Sequence, residues 1–172
     1  MSFKDKIRII EDFPKEGISF KDVTPVFQDR EALKELIDTF KELARDKEVD
    51  VVVGPEARGF LIGAPLAYAL GVGFVPVRKP GKLPGDTLRY EYALEYGTDT
   101  LEIHKDAIKK GQKVLIVDDL LATGGTISSV AKLVEELGGE VVSMNFVIEL
   151  TGLKGIEKLD KYEVVSLLKY EF

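Results

Sequence analysis

The sequence contains no cysteine and only one histidine. The first absence excludes disulfides and thiolate metal sites and fits a reducing compartment. The histidine, His104, has neither a hydroxyl nucleophile nor a metal-ligand pattern beside it, so a structural role is expected. No apolar run is long enough to cross a bilayer, and the start, Met1 to Lys6, is charged from the fourth residue without leading into one. That reads as neither a signal peptide nor a membrane span, and a soluble cytoplasmic protein is expected. Positive charge is also in short supply. The 24 Lys and Arg face 30 Asp and Glu, a net charge of −6 that argues against nonspecific nucleic-acid binding. Two familiar phosphate motifs are missing as well. No Gly-x-Gly-x-x-Gly follows a strand, and Gly54 to Gly59 has P-loop glycine spacing with Phe60 where a lysine must stand.

What is present is organised around Val114 to Thr126, Val-Leu-Ile-Val-Asp-Asp-Leu-Leu-Ala-Thr-Gly-Gly-Thr. Val114 to Val117 make a strand too apolar for either face to meet water, and it is expected to stop at Asp118 and Asp119. Ala122, Thr123, Gly124, Gly125 and Thr126 are small or hydroxylated, so their backbone amides can approach an anion closely. The apolar period Ile127, Val130, Ala131, Val134, Leu137 puts these amides at a helix N-terminus, where unpaired N–H groups and the helix dipole favour a phosphate. The carboxylates suit hydroxyls or a metal-bound sugar. A ribose 5-phosphate has both parts, although a parallel strand can also end in Asp-Asp and a glycine turn for structural reasons alone.

The remaining pattern alternates strands with helices, which predicts one α/β domain over 1–172 with a central, mostly parallel sheet flanked by helices and sites beyond the carboxyl ends of the strands. Phe3, Ile7 and Ile10 predict a short helix, broken at Phe13-Pro14. Phe13 to Val23 has too many breakers for regular structure and too many large apolar residues for a solvated loop. Asp29 should cap a helix through Leu33, Leu36, Ile37, Phe40 and Leu43. Val49 to Val53 predicts a strand, followed by the loop Gly54 to Phe60 and a helix that stops at Gly71. This is a second potential anion site with Arg58 as its only cation, or else Glu56 and Arg58 are merely a surface pair. After a strand at Gly73 to Val77, the stretch Arg78 to Arg89 holds Arg78, Lys79, Lys82 and Arg89 against the single acid Asp86. Such a positive loop on a negative protein suits a diphosphate, and a solvated turn would have the same composition. Leu88 to Tyr96 and Thr100 to Lys105 read as hairpin arms, exposed for a core element and able to close over a reacting centre. Strands at Val141 to Ile148 and Tyr162 to Tyr170 complete the pattern.

The Val114 to Thr126 run resembles the phosphoribosyl-diphosphate-binding signature of the type I phosphoribosyltransferases. Its Leu-Leu-Ala-Thr-Gly-Gly-Thr form is similar to the members of that family that act on adenine, and the likeness extends from Phe13 to Phe172. The resemblance implies the type I phosphoribosyltransferase fold, with a small N-terminal hood over 13–23 and a flexible loop and flap over 78–105. It implies transfer of a 5-phosphoribosyl group from phosphoribosyl diphosphate to adenine, giving AMP and diphosphate in purine salvage. Mg²⁺ would be held mainly through the substrate and not directly by the protein, the partner would be a second copy in a homodimer, and neither nucleic acid nor membrane would be bound. Carried over by residue, Asp118 and Asp119 would hold the ribose hydroxyls, and Ala122, Thr123, Gly124, Gly125 and Thr126 the 5′-phosphate. Glu56, Ala57, Arg58, Arg78 and Lys79 would meet the diphosphate, with a strained peptide bond near Glu56-Ala57. Phe20 would stack on the base, Ser19 and Lys21 would supply backbone contacts, and Leu150 would cover the opposite ring face. The flap would bring Glu95 and Tyr96 to the bond being made, with Glu95 handling the adenine proton. Two alternatives stay open: a different purine base, and a noncatalytic regulator that keeps the sugar-phosphate site.

Overall fold

The computed structural model describes residues 2–94 and 96–171. In chain order the elements are β1 (Arg8–Ile10), β2 (Phe20–Asp22), α1 (Thr24–Gln28), α2 (Arg30–Leu43), β3 (Val51–Pro55), α3 (Arg58–Leu70) and β4 (Gly73–Val77). They continue as β5 (Thr87–Ala93), β6 (Thr98–His104), β7 (Lys113–Leu121), α4 (Gly125–Glu136), β8 (Glu140–Leu150), a 3-10 helix (Gly155–Leu159) and β9 (Val164–Tyr170).

The core is a five-stranded parallel sheet in the order β4-β3-β7-β8-β9. Its central strand explains why the sheet is covered on both sides. Val114 to Val117 are all fully buried. By the two-residue period of a strand, Val114 and Ile116 join one apolar layer with α4 and with Leu101 and Ile103 of β6. Leu115 and Val117 join the other layer with Leu36 and Phe40 of α2 and Ile62 and Leu66 of α3. The chain leaves β3 through α3 to reach β4 on one side, and leaves β7 through α4 to reach β8 on the other. Crossovers of the same right hand then carry the two helices to opposite faces. Strand order therefore reverses between β3 and β7, and a crevice opens beyond their carboxyl ends, where a ligand has room.

Four sequence expectations change, the first being that Phe13 to Val23 holds no regular structure, since its end, Phe20–Asp22, pairs with Arg8–Ile10 as a strand. The predicted N-terminal helix is only a 3-10 helix at Phe3–Lys6. Ile9 and Ile10 lie instead in β1, because they find strand partners in Lys21 and Phe20 of β2. Strand β7 does not stop at the carboxylates but runs to Leu121, because Asp118, Leu120 and Leu121 still pair with Phe146, Ile148 and Glu149 of β8. The β5–β6 hairpin is not free of the core: Leu101 and Ile103 are buried and β5 packs on α4, while Leu94 and Tyr96 near the tip are exposed. The cap at Asp29 forms as the sequence suggests, its carboxylate accepting from the Ala32 amide at 2.9 Å, and Gly71 ends α3 in the left-handed region at φ 73°. Among the described residues, no helix is long and apolar enough to cross a membrane.

Candidate active site

Two strand-loop-helix units meet at the crevice, β3 into α3 and β7 into α4. Their helices start differently from α2. Asp29 caps α2, whereas no side chain caps α3 at Ala57 or α4 at Gly124. The first N–H groups of these helices thus have no side-chain acceptor, although the Phe60 amide of α3 donates to the Ala57 carbonyl at 3.2 Å. Close backbone approach sets the geometry. A Cβ on Gly54 would stand 3.2 Å from the Val117 carbonyl oxygen, and one on Gly59 would stand 3.2 Å from Asp118 Oδ1. Glycine at both positions lets the start of α3 lie against the end of β7.

At the second unit, Ala122, Thr123, Gly124 and Thr126 share a cavity of about 200 Å³ with Asp118 and Glu56. Thr123 and Thr126 are exposed, and the Thr126 hydroxyl also lies within reach of Tyr92. Gly124 sits at φ 86°, and Gly125 lines a neighbouring cavity of about 240 Å³ together with Tyr92, Thr126 and Lys158. Asp118 is half-buried and accepts the Asp119 amide at 2.9 Å. Desolvation, followed by the charge of Asp119 beside it, pushes its carboxyl well above the ordinary aspartate value. Asp119 is buried and receives Arg58 Nε in an ion pair.

The first unit is occupied by its own charges. Glu56 and Ala57 are joined by a cis peptide bond. The Glu56 carboxylate accepts from the Lys79 amide at 2.8 Å and from Arg78 Nε at 3.2 Å. The Lys79 ammonium is engaged by Asp99, which holds the lysine above its usual range and is itself held below the usual carboxylate range. Glu102 is buried and accepts from Thr87, from the Gly81 amide at 2.7 Å and from Arg89 at 3.3 Å. The Thr87 hydroxyl is the main reason that this carboxyl titrates low. The stretch that looked positive in sequence is therefore largely neutralised in space, by Glu56, Asp99 and Glu102 from outside it.

The residues assigned to the base form a separate cluster. Phe20 meets Phe13 edge-on with centroids 5.2 Å apart. The Lys21 ammonium donates to Ser19 Oγ at 2.6 Å and lies 5.3 Å from the centroid of Tyr170. Tyr170 pairs in register with Leu150, so one ring links the hood strand to the end of β8. Phe20 and Leu150 are both half-buried, with surface left to contact a ligand. Tyr96 is 88% exposed at the hairpin tip, and Glu95 lies outside the described residues.

Sequence reasoning overlooked three residues here. The Tyr92 hydroxyl stands 3.3 Å from both Asp99 Oδ2 and Thr126 Oγ1, tying the hairpin to the glycine turn. Its signal was the alternation Leu88, Tyr90, Tyr92, which marks an inward face of β5. Asp99 falls between the two hairpin arms expected from the sequence, and nothing local marks Lys158.

Comparison with known proteins bears on this arrangement. A family model described as a phosphoribosyl transferase domain matches residues 22–171. Adenine phosphoribosyltransferase of Clostridium perfringens is 68% identical over 171 residues, covering 99% of either chain. The crystal structure of adenine phosphoribosyltransferase from Thermoanaerobacter pseudethanolicus is 62% identical, with a TM-score of 0.94 over 98% of both chains. The Saccharomyces cerevisiae enzyme, solved with D-2,5-dideoxy-2,5-imino-altritol 1,6-bisphosphate and adenine, is 47% identical with a TM-score of 0.91 over 96% of both chains.

Proposed function

Because the chain belongs to the phosphoribosyl transferase family and its full-length relatives are adenine phosphoribosyltransferases, we infer that it transfers the 5-phosphoribosyl group of phosphoribosyl diphosphate to adenine, forming AMP and diphosphate. The observation that carries this reading is the shared cavity at the strand-order reversal, where the carboxylates of Asp118 and Glu56 and an uncapped, glycine-lined helix start face the same space. A sugar phosphate needs both.

Departure of diphosphate leaves positive charge on the sugar C1, so carboxylates beside the ring and cations on the leaving group both lower the barrier. Asp118 and Asp119 orient the ribose hydroxyls and stabilise that charge. Ala122 to Thr126 hold the 5′-phosphate. Arg58, Arg78 and Lys79 receive the diphosphate by exchanging Asp119, Glu56 and Asp99 for substrate oxygens, with Glu56 and Ala57 shaping that loop. Phe20 and Leu150 enclose the base, and Ser19 and Lys21 read its edge through the backbone. Mg²⁺ takes hard oxygens, and with Glu56 paired to Arg78 and Asp119 to Arg58 the protein would offer it few of its own. Among the described residues no three ligating side chains cluster, so the substrate's own oxygens would supply most of its shell. When bound there, it would neutralise the leaving diphosphate.

Tyr96 and Glu95 belong to the flap half of this reading, with Glu95 taking or orienting the adenine proton. A homodimer is part of the proposal too. Leu61 and Tyr68, spaced i, i+7 on one face of α3, are 51% and 89% exposed and suit a second copy, which light scattering would test. Cytoplasmic location is part of the proposal as well, and the absence of cysteine fits it.

The test is a competition among adenine, hypoxanthine and guanine for phosphoribosyl diphosphate with Mg²⁺ present. Adenine should win, because a 6-amino and a 6-oxo group need opposite hydrogen-bond partners. No diphosphate release with any base would overturn the reading. Glu95→Gln should lower turnover about a hundredfold while binding phosphoribosyl diphosphate nearly as well. Unchanged turnover removes Glu95 from the mechanism.

A further inference from the structure

The 5′-phosphate end of the site, read as above, has amides and hydroxyls but no cation of its own. A phosphomonoester carries about −1.5 to −2 charges near neutral pH. A helix start offers the equivalent of about +0.5. Asp118 and Glu56 line the same cavity and add to the deficit. The cations already described are committed elsewhere, Arg58 to Asp119, Arg78 to Glu56 and Lys79 to Asp99.

We propose that Lys158, carried by the 3-10 helix Gly155–Leu159, is the cation of the 5′-phosphate site. The inference rests on the reading of Ala122 to Thr126 as the phosphate cradle. Lys158 lines the cavity of about 240 Å³ that is also bounded by Thr123, Gly125 and Thr126. The helix that bears it is pressed onto the cradle so tightly that neither side tolerates a side chain. A Cβ on Gly124 would lie 2.6 Å from the Gly155 carbonyl oxygen, and a Cβ on Gly155 would lie 2.3 Å from that of Ala122. In a 3-10 helix, positions i and i+3 eclipse, so Lys158 shares the face of Gly155 that touches the cradle. Leu159 anchors the helix from its other side, buried in the layer that contains Ile127 and Val130 of α4. Lys158 is exposed, and among the described residues it has no carboxylate within ion-pair distance. A flexible ammonium with no competing partner, mounted on a helix packed against the anion site, is what a charge-assisted contact needs.

Binding of AMP and of adenine is measured by calorimetry at low and high salt for wild type, Lys158→Gln, Lys158→Arg and Thr126→Ala. Lys158→Gln should bind AMP about tenfold more weakly and flatten the salt dependence, leave adenine affinity unchanged, and raise KM for phosphoribosyl diphosphate more than it lowers kcat. Lys158→Arg should restore most of the AMP affinity. If Lys158→Gln binds AMP like wild type while Thr126→Ala binds it weakly, the lysine is excluded and the cradle stands. If neither substitution affects AMP, the cradle reading fails and the proposal with it. Equal losses for AMP and adenine would point to a disturbed fold and would also overturn it.

Discussion

The two strand-loop-helix units at the crevice share a plan and differ in chemistry. Each begins at the carboxyl end of a central strand and leads into an α-helix with no side-chain cap. The β3 unit is charged and self-paired, with Glu56 holding Arg78 and the Lys79 amide while Arg58 holds Asp119. Beyond Asp118 and Asp119, the turn of the β7 unit is uncharged, made of glycines, amides and exposed hydroxyls. The difference matches what the proposed reaction asks of each. Diphosphate must arrive, gain stabilisation as it departs, and leave. Cations that already have carboxylate partners can be lent to it and returned. The 5′-phosphate stays through the chemistry, so fixed dipoles that need no rearrangement serve it better.

The comparison breaks most severely at Asp118 and Asp119, because they serve both units. Asp119 pairs with Arg58 of the first, and Asp118 lines the cavity of the second. Asp118→Asn with Asp119→Asn should cut turnover by about a thousandfold or more, since charge opposite the developing cation is lost and Arg58 is left without its partner. Circular dichroism should remain native. Full activity would mean that these carboxylates do not lie at the sugar.

A narrower break acts on the β7 unit alone. Gly124→Ala would force a Cβ at φ 86° to within 2.6 Å of the Gly155 carbonyl oxygen. The left-handed conformation alone costs about 1–2 kcal/mol, and the clash must push the 3-10 helix off the cradle. KM for phosphoribosyl diphosphate should rise by about tenfold while KM for adenine holds, with a lowered Tm. A rise in both constants would show that the base cluster depends on the same contact.

The parts of this arrangement that sequence could supply are those with local causes. The β-branched run at Val114 to Val117, the cap at Asp29, the stop at Gly71 and the glycine turn at Gly124-Gly125 each follow from neighbouring residues. The extension of β7 to Leu121 depends on pairing with β8, and β1 depends on pairing with Phe20–Asp22 across the intervening loop. The same holds for charge. Arg78, Lys79 and Arg89 looked unbalanced because Glu56, Asp99 and Glu102 reach them only in space. Glu102 sits between Leu101 and Ile103, a position that alternation assigns to solvent, yet it is buried under the basic loop. Lys158 stands in a charged, featureless stretch, and only the contact between Gly124 and Gly155 gives it a role.

The smallest effect separates charge from geometry within the ledge. The Asp118 carboxyl is raised above the ordinary value of 3.8, first by desolvation and then by Asp119. Between its unfolded and folded pKa the native state binds the proton more tightly than the unfolded chain does. The stability this provides is complete below the unfolded value and is lost as pH climbs through the folded one. At neutral pH the native protein therefore holds a carboxyl that it would be more stable without, as expected of a group kept for chemistry. Asp118→Asn keeps the shape, and its amide oxygen can still accept the Asp119 N–H, but it has no charge to desolvate. The variant should melt higher than wild type, with the gain larger at about pH 8 than at about pH 4. Each tenfold bias toward the protonated form in the folded state is worth about 1.4 kcal/mol, which a chain of this size reads as roughly 3–5 °C in Tm. A variant that melts lower at both pH values would mean that the Asp118 charge is satisfied in the folded state, and the ledge would then be structural.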